Sequence, residues 1–216
     1  LAVVFNRPHT PLYAPQAYFD RFPLSEIELP PYRPDDLDDA PPIVRDLFDY
    51  AFERFKMIRQ AGGVALWKRW IQAYLACVSF IDDQVGILLD ALDASDAADN
   101  TVIIFAGDNG YHMGEKDALF KGTLWEEATR VPLIISAPSV SQAGSKCERA
   151  VSLVHLYPTL IDLCSLPTSP NANSHGLPLD GTSLTPLLRD PVNGDWDGPP
   201  VALSTYATKA EAIAQY

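Results

Sequence analysis

The sequence predicts an α/β fold, and three observations support that prediction. A helical pattern over residues 66–92 precedes an apolar segment at residues 100–106, and a polar, glycine-rich loop follows that segment directly. The apolar segment has five strand-favouring residues in a row, without polar alternation, which is typical of a strand covered on both faces. A second apolar segment at residues 131–137 has the same character. Helix, buried strand and polar loop follow one another in α/β proteins, which bind ligands at the carboxyl ends of their strands.

The first forty residues predict a strand, a stiff loop and an extended arm. Residues 1–6 have strand character and end at Arg7-Pro-His-Thr-Pro11. A proline disfavours the helical conformation of the residue before it, so we expect His9 in a stiff loop just beyond the strand. Residues 23–42 are rich in proline and aspartate, and no regular element tolerates that density of proline. We therefore expect an arm lying over the surface.

The middle of the chain predicts two helices. Residues 43–60 form the first, which Gly62-Gly63 ends or bends. In residues 66–92, apolar side chains recur at spacings of three and four, which places them on one helical face. That face comprises Tyr74, Val78, Ile81, Val85, Leu88 and Leu92.

A further helix is predicted at residues 152–164, after the second strand. Proline interrupts the interior of a helix but is tolerated in its first turn. Pro158 therefore has to lie close to the start of the helix.

Length and charge narrow the classes of function. A chain of 216 residues with 47% hydrophobic residues can bury a substantial core. A net charge of -12 argues against a nucleic-acid partner or an anionic membrane surface, which require clustered lysine and arginine. An anionic substrate stays compatible, because a local pocket can be positive within an acidic protein. No apolar run approaches the length of a membrane span, and the three cysteines lack metal-ligand spacing.

The loop after the first buried strand carries the candidate chemistry. Asp108 and Asn109 are adjacent oxygen donors at a strand end, and such groups suit Ca²⁺ or Mg²⁺. Two ligands do not make a site, so further ligands have to come from elsewhere. Lys121 lies thirteen residues beyond Asp108, past Gly110 and Gly114, which allow the loop to double back. A lysine returned to the metal would provide a second positive centre for an anionic ester oxygen.

The same loop contains the segments Gly107–Glu115, Phe120–Gly122 and Trp125–Pro132. Together they closely resemble the C-terminal signature of sulfatases in the alkaline phosphatase superfamily. The similarity is greatest to the branch that includes iduronate-2-sulfatase and choline sulfatase. Several blocks occur in the family's order over roughly residues 1–205. These blocks are Phe5–Phe19 with its Arg-Pro-His-x-Pro segment, Val78–Gly86, Gly107–Glu115 with Phe120–Gly122 and Trp125–Pro132, Val151–Leu160, and Leu179–Leu188.

The resemblance implies a fold, a reaction and a set of site residues. The fold would be an alkaline-phosphatase-like α/β sandwich with a large mixed, mainly parallel sheet flanked by helices. The reaction would be hydrolysis of a sulfate monoester, carried by a small molecule or a saccharide, to an alcohol and sulfate. Asp108 and Asn109 would bind the divalent cation, usually Ca²⁺, with Mg²⁺ or Mn²⁺ as alternatives. Lys121 would hold the sulfate, and His9 would contact it and protonate the leaving alcohol.

The family's nucleophile has no counterpart in this chain. It is a formylglycine made from Cys or Ser in a Cys/Ser-x-Pro/Ala-x-x-Arg motif, which Cys77, Cys147, Cys164 and the serines do not match. The paired acidic ligands of the family's first strand are absent too. We therefore expect residues 1–216 to be part of a sulfatase catalytic domain whose N-terminal part is missing, and to be inactive alone. The resemblance favours a periplasmic or secreted location, whereas the oligomeric state stays open.

Two other functions remain open at this point. Phosphonate monoester hydrolases and phosphodiesterases share the scaffold, although they often pair Asp with His at the metal where this chain has Asn109. A non-catalytic metal-binding relative is the other alternative, and a parent gene without Cys or Ser at the nucleophile position would favour it. His112 is a weaker site candidate, because its position varies within the family. His155 replaces an Asp common in the family at a position of structural character.

Overall fold

The computed structural model describes residues 1–168 and 177–205, which divide between two compact units. The first unit contains Leu1–Ser95 and Asp108–Val131, and the second contains Asp96–Gly107 together with the described residues from Pro132 to Thr205. Among the helices described, none has the length and apolarity to cross a membrane.

The first unit is built around one long helix. The described residues of this unit form four α-helices, namely α1 (Gln16–Phe19), α2 (Pro42–Leu47), α3 (Asp49–Asp93) and α4 (Glu126–Thr129). The helix predicted over residues 43–60 is therefore divided between α2 and the start of α3. The bend predicted at Gly62-Gly63 is confirmed, because Gly63 interrupts α3 with a φ of 55° that favours glycine.

The predicted strand at residues 1–6 is wrong for this structure. These residues take no regular structure, and Val4 keeps 91% of its surface exposed. A strand exists only through hydrogen bonds to a neighbouring strand, and none of the described residues pairs with this segment. The irregular arm predicted at residues 23–42 is confirmed, but it is not merely superficial, because Ile27 and Leu37 in it are buried.

The core of the first unit lies against the first half of α3. Trp67, 1% exposed, packs edge-on against Phe55 with a ring separation of 4.9 Å. The rest of the cluster comprises Ile27, Ile58, Ile71 and Leu119. The predicted apolar face of α3 is only partly correct, since Val78 and Leu88 on it are 42% and 40% exposed. Periodicity defines a face, but the segments packed against the helix decide which residues are covered.

A short antiparallel hairpin in the first unit carries the loop of interest. Strand β2 (His112–Met113) pairs with β3 (Leu119–Phe120), and His112 lies opposite Phe120. The indole Nε1 of Trp67 donates to the carbonyl oxygen of Met113 at 2.5 Å. The hairpin is therefore anchored directly to the core of this unit.

The second unit contains the two apolar strands expected from the sequence. Strand β1 (Ile103–Ala106) pairs with β4 (Leu133–Ser136) antiparallel, with Ile103 opposite Ser136. The expectation that both faces of β1 are covered is wrong among the described residues, because Phe105 is 39% exposed. Within residues 1–168 and 177–205 the strands form two two-stranded sheets, and no large mixed sheet is seen.

Helices complete the second unit. The helix predicted at residues 152–164 is confirmed as a 3₁₀ turn followed by α5 (Leu156–Leu163), with Pro158 in the first turn of α5. Helix α6 (Thr185–Arg189) follows. His155 is 2% exposed and its Nδ1 accepts the Thr182 backbone N–H at 2.8 Å, as expected for a structural position. Leu184, Leu187 and Trp196 form the core.

Candidate active site

Lys121 and Asn109 meet across the hairpin. The Lys121 Nζ donates to the Asn109 Oδ1 at 2.8 Å, and both side chains are half-buried. The Asn109 Nδ2 donates to the carbonyl oxygen of Gly110 at 2.8 Å, which fixes the orientation of the amide with its oxygen towards the lysine. The loop thus doubles back as its glycines predict, and an ammonium group lies beside an amide oxygen.

An unusual backbone conformation aims Lys121 at that partner. Phe120, the last residue of β3, has a φ of 70°, a region that a bulky side chain rarely occupies. Such a conformation persists only when its surroundings hold it in place. The Phe120 ring packs against the rings of Trp70 and Tyr111, with centroids 5.5 and 5.6 Å away. The turn therefore continues from a firmly packed residue into Lys121 and then into Gly122, whose φ is 87°.

The start of the loop is seated on α4 at Gly110. The Gly110 N–H donates to the carbonyl oxygen of Ala128 at 2.9 Å. A Cβ at this glycine would lie 2.0 Å from the carbonyl oxygen of Glu127, so any larger residue would clash with backbone. The close approach requires glycine, and it seats the loop on α4 directly after Asp108 and Asn109.

Asp108 and Asn109 fit a hard divalent cation as a partial set of ligands. The Asp108 side chain is exposed, and within the described residues it makes no hydrogen bond or ion pair. A carboxylate and an amide oxygen are donors that Ca²⁺ accepts, but Ca²⁺ takes about six to eight oxygens. The part of the chain that the structure describes holds no cluster of three or more His, Cys, Asp or Glu suited to a metal. Further ligands would have to come from outside these residues.

His9 lies in an exposed loop with one ring nitrogen engaged. Its Nδ1 is 2.6 Å from the carbonyl oxygen of Thr10. Since a carbonyl oxygen only accepts, Nδ1 carries the proton, and Nε2 is left for another partner. Arg7 braces this loop from both sides, because its guanidinium donates to the carbonyl oxygens of His9 at 3.2 Å and Tyr13 at 3.1 Å.

The His9 loop and the Asn109 loop both pack against neighbouring turns of α3. The Cys77 Sγ lies 3.6 Å from the Tyr13 carbonyl oxygen, beyond His9 in its loop. Three residues earlier on α3, Tyr74 packs against Tyr111 with ring centroids 4.8 Å apart. No hydrogen bond joins His9 to Asp108, Asn109 or Lys121 among the described residues. The convergence of all four side chains therefore stays a prediction.

One buried pair in this loop goes beyond the residues that the sequence indicates. The His112 Nε2 lies 2.7 Å from the Thr123 Oγ1, and both side chains are buried. The sequence marks His112 only as a weaker candidate for a site residue and does not indicate Thr123. The only sequence signal was Gly122, which marks a turn immediately before Thr123.

Known proteins match both the sequence and the structure. The family model described as Sulfatase matches residues 1–166. A sulfatase from Formosa agariphila is 45% identical over 166 residues, covering 77% of this chain and 32% of the relative. Iduronate 2-sulfatase from Mus musculus is 32% identical over 203 residues, covering 79% of this chain and 36% of the relative. The chain thus spans about a third of the length of these relatives.

Solved structures extend the likeness to the fold. The phosphonate monoester hydrolase of Silicibacter pomeroyi superimposes with a TM-score of 0.70 at 26% identity, covering 88% of this chain and 37% of that one. BT4656, solved with its substrate D-glucosamine-2-N,6-O-disulfate, gives a TM-score of 0.54 at 30% identity, covering 72% of this chain and 32% of that one. The alkaline-phosphatase-like α/β fold is thereby confirmed for this chain.

Proposed function

The chain belongs to the sulfatase family, and from this premise we propose that it is part of an enzyme that hydrolyses a sulfate monoester to an alcohol and sulfate. One observation carries the assignment of the site to this chemistry. The Lys121 ammonium lies 2.8 Å from the amide oxygen of Asn109, the residue that directly follows the exposed Asp108. A cation-binding pair and a fixed positive side chain thus come from one loop.

The proposed roles of Asp108 and Asn109 are those of metal ligands. They would hold a divalent cation, Ca²⁺ by family resemblance, which when bound would polarise a sulfate oxygen and offset its negative charge. The exposed Asp108 carboxylate has no competing protein partner in the described residues, so it is available for a ligand. The Asn109 Oδ1 keeps a second lone pair after accepting from Lys121.

Lys121 would bind a sulfate oxygen directly. An ammonium group has three donor hydrogens, and the contact with Asn109 uses one of them. The remaining hydrogens can reach an anionic oxygen beside the metal pair. Because the side chain is half-buried and already oriented, its charge is less screened than that of a surface lysine.

His9 would donate a proton to the leaving alcohol. Its Nδ1–H is engaged by the Thr10 carbonyl, so Nε2 is the atom that would face the substrate. In the imidazolium form Nε2 carries a proton that it can donate to the departing oxygen, and the neutral ring can afterwards accept a proton from water. The bracing by Arg7 limits the number of orientations that the ring has to search.

The nucleophile would lie outside these 216 residues. No Cys/Ser-x-Pro/Ala-x-x-Arg motif occurs in the chain, so a formylglycine would be supplied by a preceding part of the same polypeptide. We propose accordingly that residues 1–216 form part of one catalytic domain and do not turn over sulfate esters alone.

A second candidate reaction is hydrolysis of a phosphonate or phosphate ester. The superposition on a phosphonate monoester hydrolase with a TM-score of 0.70 favours it. The sulfated glucosamine in the BT4656 structure favours a sulfated saccharide as the substrate instead. A sulfate ester and a phosphonate monoester each carry one negative charge, whereas a phosphate monoester near neutral pH carries close to two, so charge at Lys121 and the metal distinguishes only the phosphate monoester from the sulfate.

The test uses the full-length polypeptide that contains this chain. We expect turnover of an aryl sulfate well above that of the matching aryl phosphate and phosphonate, and loss of turnover after removal of divalent cations with restoration by Ca²⁺. Lys121→Ala should lower kcat/KM for the sulfate by about 10²-fold or more, the usual cost of losing a charge-stabilising donor.

Lys116→Ala is the matched control, because it removes a lysine from the same loop. Lys116 forms an ion pair with Asp36 at 2.8 Å, so its charge is already engaged away from the proposed site. Its replacement should leave turnover close to that of the wild type. Equal losses for the two lysine variants, or faster turnover of the phosphonate, would refute the assignment.

A further inference from the structure

We propose that His112 and Thr123 form a positioning pair that holds the Lys121 turn against Asn109. The inference rests on the proposed function only in that Lys121 is the residue that holds the sulfate. His112 is fully buried, Thr123 is 5% exposed, and the His112 Nε2 lies 2.7 Å from the Thr123 Oγ1. These two side chains therefore form a polar contact in the interior, where such contacts are strongest.

The hairpin geometry places this contact across the Lys121 turn. His112 lies opposite Phe120 in the ladder between β2 and β3. The chain leaves the ladder after Phe120. Three residues later, the side chain of Thr123 contacts the side chain of the same His112. Lys121 is thus enclosed between two connections to one residue.

The backbone of the turn shows why the second connection is needed. Phe120 and Gly122 both have positive φ, at 70° and 87°. A phenylalanine with a positive φ is sterically disfavoured, so the turn would change conformation if the surrounding residues did not hold it in place. Ring packing restrains the Phe120 end, and the contact with His112 restrains the Thr123 end. Without the latter, the Lys121 Nζ would lose its fixed distance to the Asn109 Oδ1.

His112 acts through the turn and does not reach the substrate itself. Its Nε2 is engaged by Thr123, and its Nδ1 is buried without a hydrogen-bond partner in the described residues. Burial lowers the pKa of His112 by more than the nearby charges of Glu127 and Glu115 raise it, which favours the neutral ring. Trp125, edge-on at 6.0 Å, keeps the ring in place.

The experiment removes the hydroxyl of Thr123 with little change in shape. In the full-length protein, Thr123→Val should lower kcat/KM for an aryl sulfate about tenfold, because a buried hydrogen bond is lost and Lys121 is misplaced. Thr123→Ser keeps the hydroxyl and should stay within about twofold of the wild type. In a Lys121→Ala background, Thr123→Val should have no further effect, since residues that act through one another are not additive.

Thr159→Val provides the matched control. Thr159 is a buried threonine of the second unit whose Oγ1 donates to His155 and accepts from Leu184, so its loss lowers stability without involving the loop. The melting temperature should fall, and kcat/KM per folded molecule should not change. Thr123→Val with wild-type kinetics, or with the same loss in both the wild-type and the Lys121→Ala background, would overturn the positioning pair.

Hydrogen exchange separates this inference from the proposed function. Backbone amides from Phe120 to Thr123 should exchange faster in Thr123→Val than in the wild type, and should be unchanged in Thr159→Val. This measurement does not require turnover. A wild-type protein that hydrolyses no sulfate ester would overturn the proposed function, whereas unchanged exchange in the turn would overturn the positioning pair.

Discussion

Gly110→Ala is the sharpest perturbation of the loop that is proposed to bind the metal. The added Cβ would lie 2.0 Å from the Glu127 carbonyl oxygen and 3.0 Å from that of Arg130. Both neighbours are backbone atoms, so no side chain can rotate away. The distance between the new Cβ and the Glu127 carbonyl oxygen has to increase by at least about 1 Å, since packed interiors do not tolerate closer approach. The hydrogen bond from the Gly110 N–H to Ala128 would be lost with it.

The cost can be estimated from these contacts. Overpacking against immovable neighbours costs about 1–3 kcal/mol, and a lost hydrogen bond costs about 1 kcal/mol more. Alanine also lowers the conformational entropy of the unfolded chain, which offsets about 0.5 kcal/mol of this loss of stability. The free energy of unfolding should therefore fall by about 1.5–3.5 kcal/mol. A displacement of about 1 Å at Asn109 should also lower turnover about 10²-fold.

The assay combines denaturant unfolding with metal content in the full-length protein. Gly86→Ala is the control, because a Cβ at Gly86, inside α3, meets nothing within 4 Å. Alanine there should raise stability by about 0.5–1 kcal/mol and leave bound metal unchanged. If Gly110→Ala were as stable as the wild type and retained its metal, the proposed seating of the loop on α4 would be refuted.

Two further predictions concern the core around the hairpin. Burial lowers the pKa of His112, so the imidazole binds a proton more tightly in the unfolded chain than in the folded one. The free energy of unfolding should therefore fall as the pH drops below about 6.5. His112→Gln should make the free energy of unfolding, measured with urea, less dependent on pH between pH 5 and 7. An unchanged pH dependence would contradict its origin in His112. Trp67→Phe leaves the Met113 carbonyl oxygen without its donor and should cost about 1–3 kcal/mol beyond the loss of volume. Trp196→Phe in the second unit is the comparison, because the Trp196 N–H has no partner in the described residues, and equal losses would argue against the hydrogen bond.

The local elements of the fold could be predicted because their signals are local. The break at Gly63, the strands within residues 100–106 and 131–137, and the first-turn position of Pro158 all follow from neighbouring residues. The strand at residues 1–6 could not be decided in this way. Apolar residues can form a strand only where another strand supplies hydrogen bonds, and the described residues offer none to this segment.

For the candidate site, the sequence by itself determined which residue types are available and their order along the chain. Adjacent oxygen donors, a lysine beyond two glycines and a histidine between prolines are visible without coordinates, and they indicate a cation and an anionic ester. Only the tertiary structure decided that Lys121 turns back onto Asn109 through the positive φ of Phe120, and that a buried contact between His112 and Thr123 closes that turn. The reason is physical, because a backbone conformation that is disfavoured locally is stable only when distant residues pack around it.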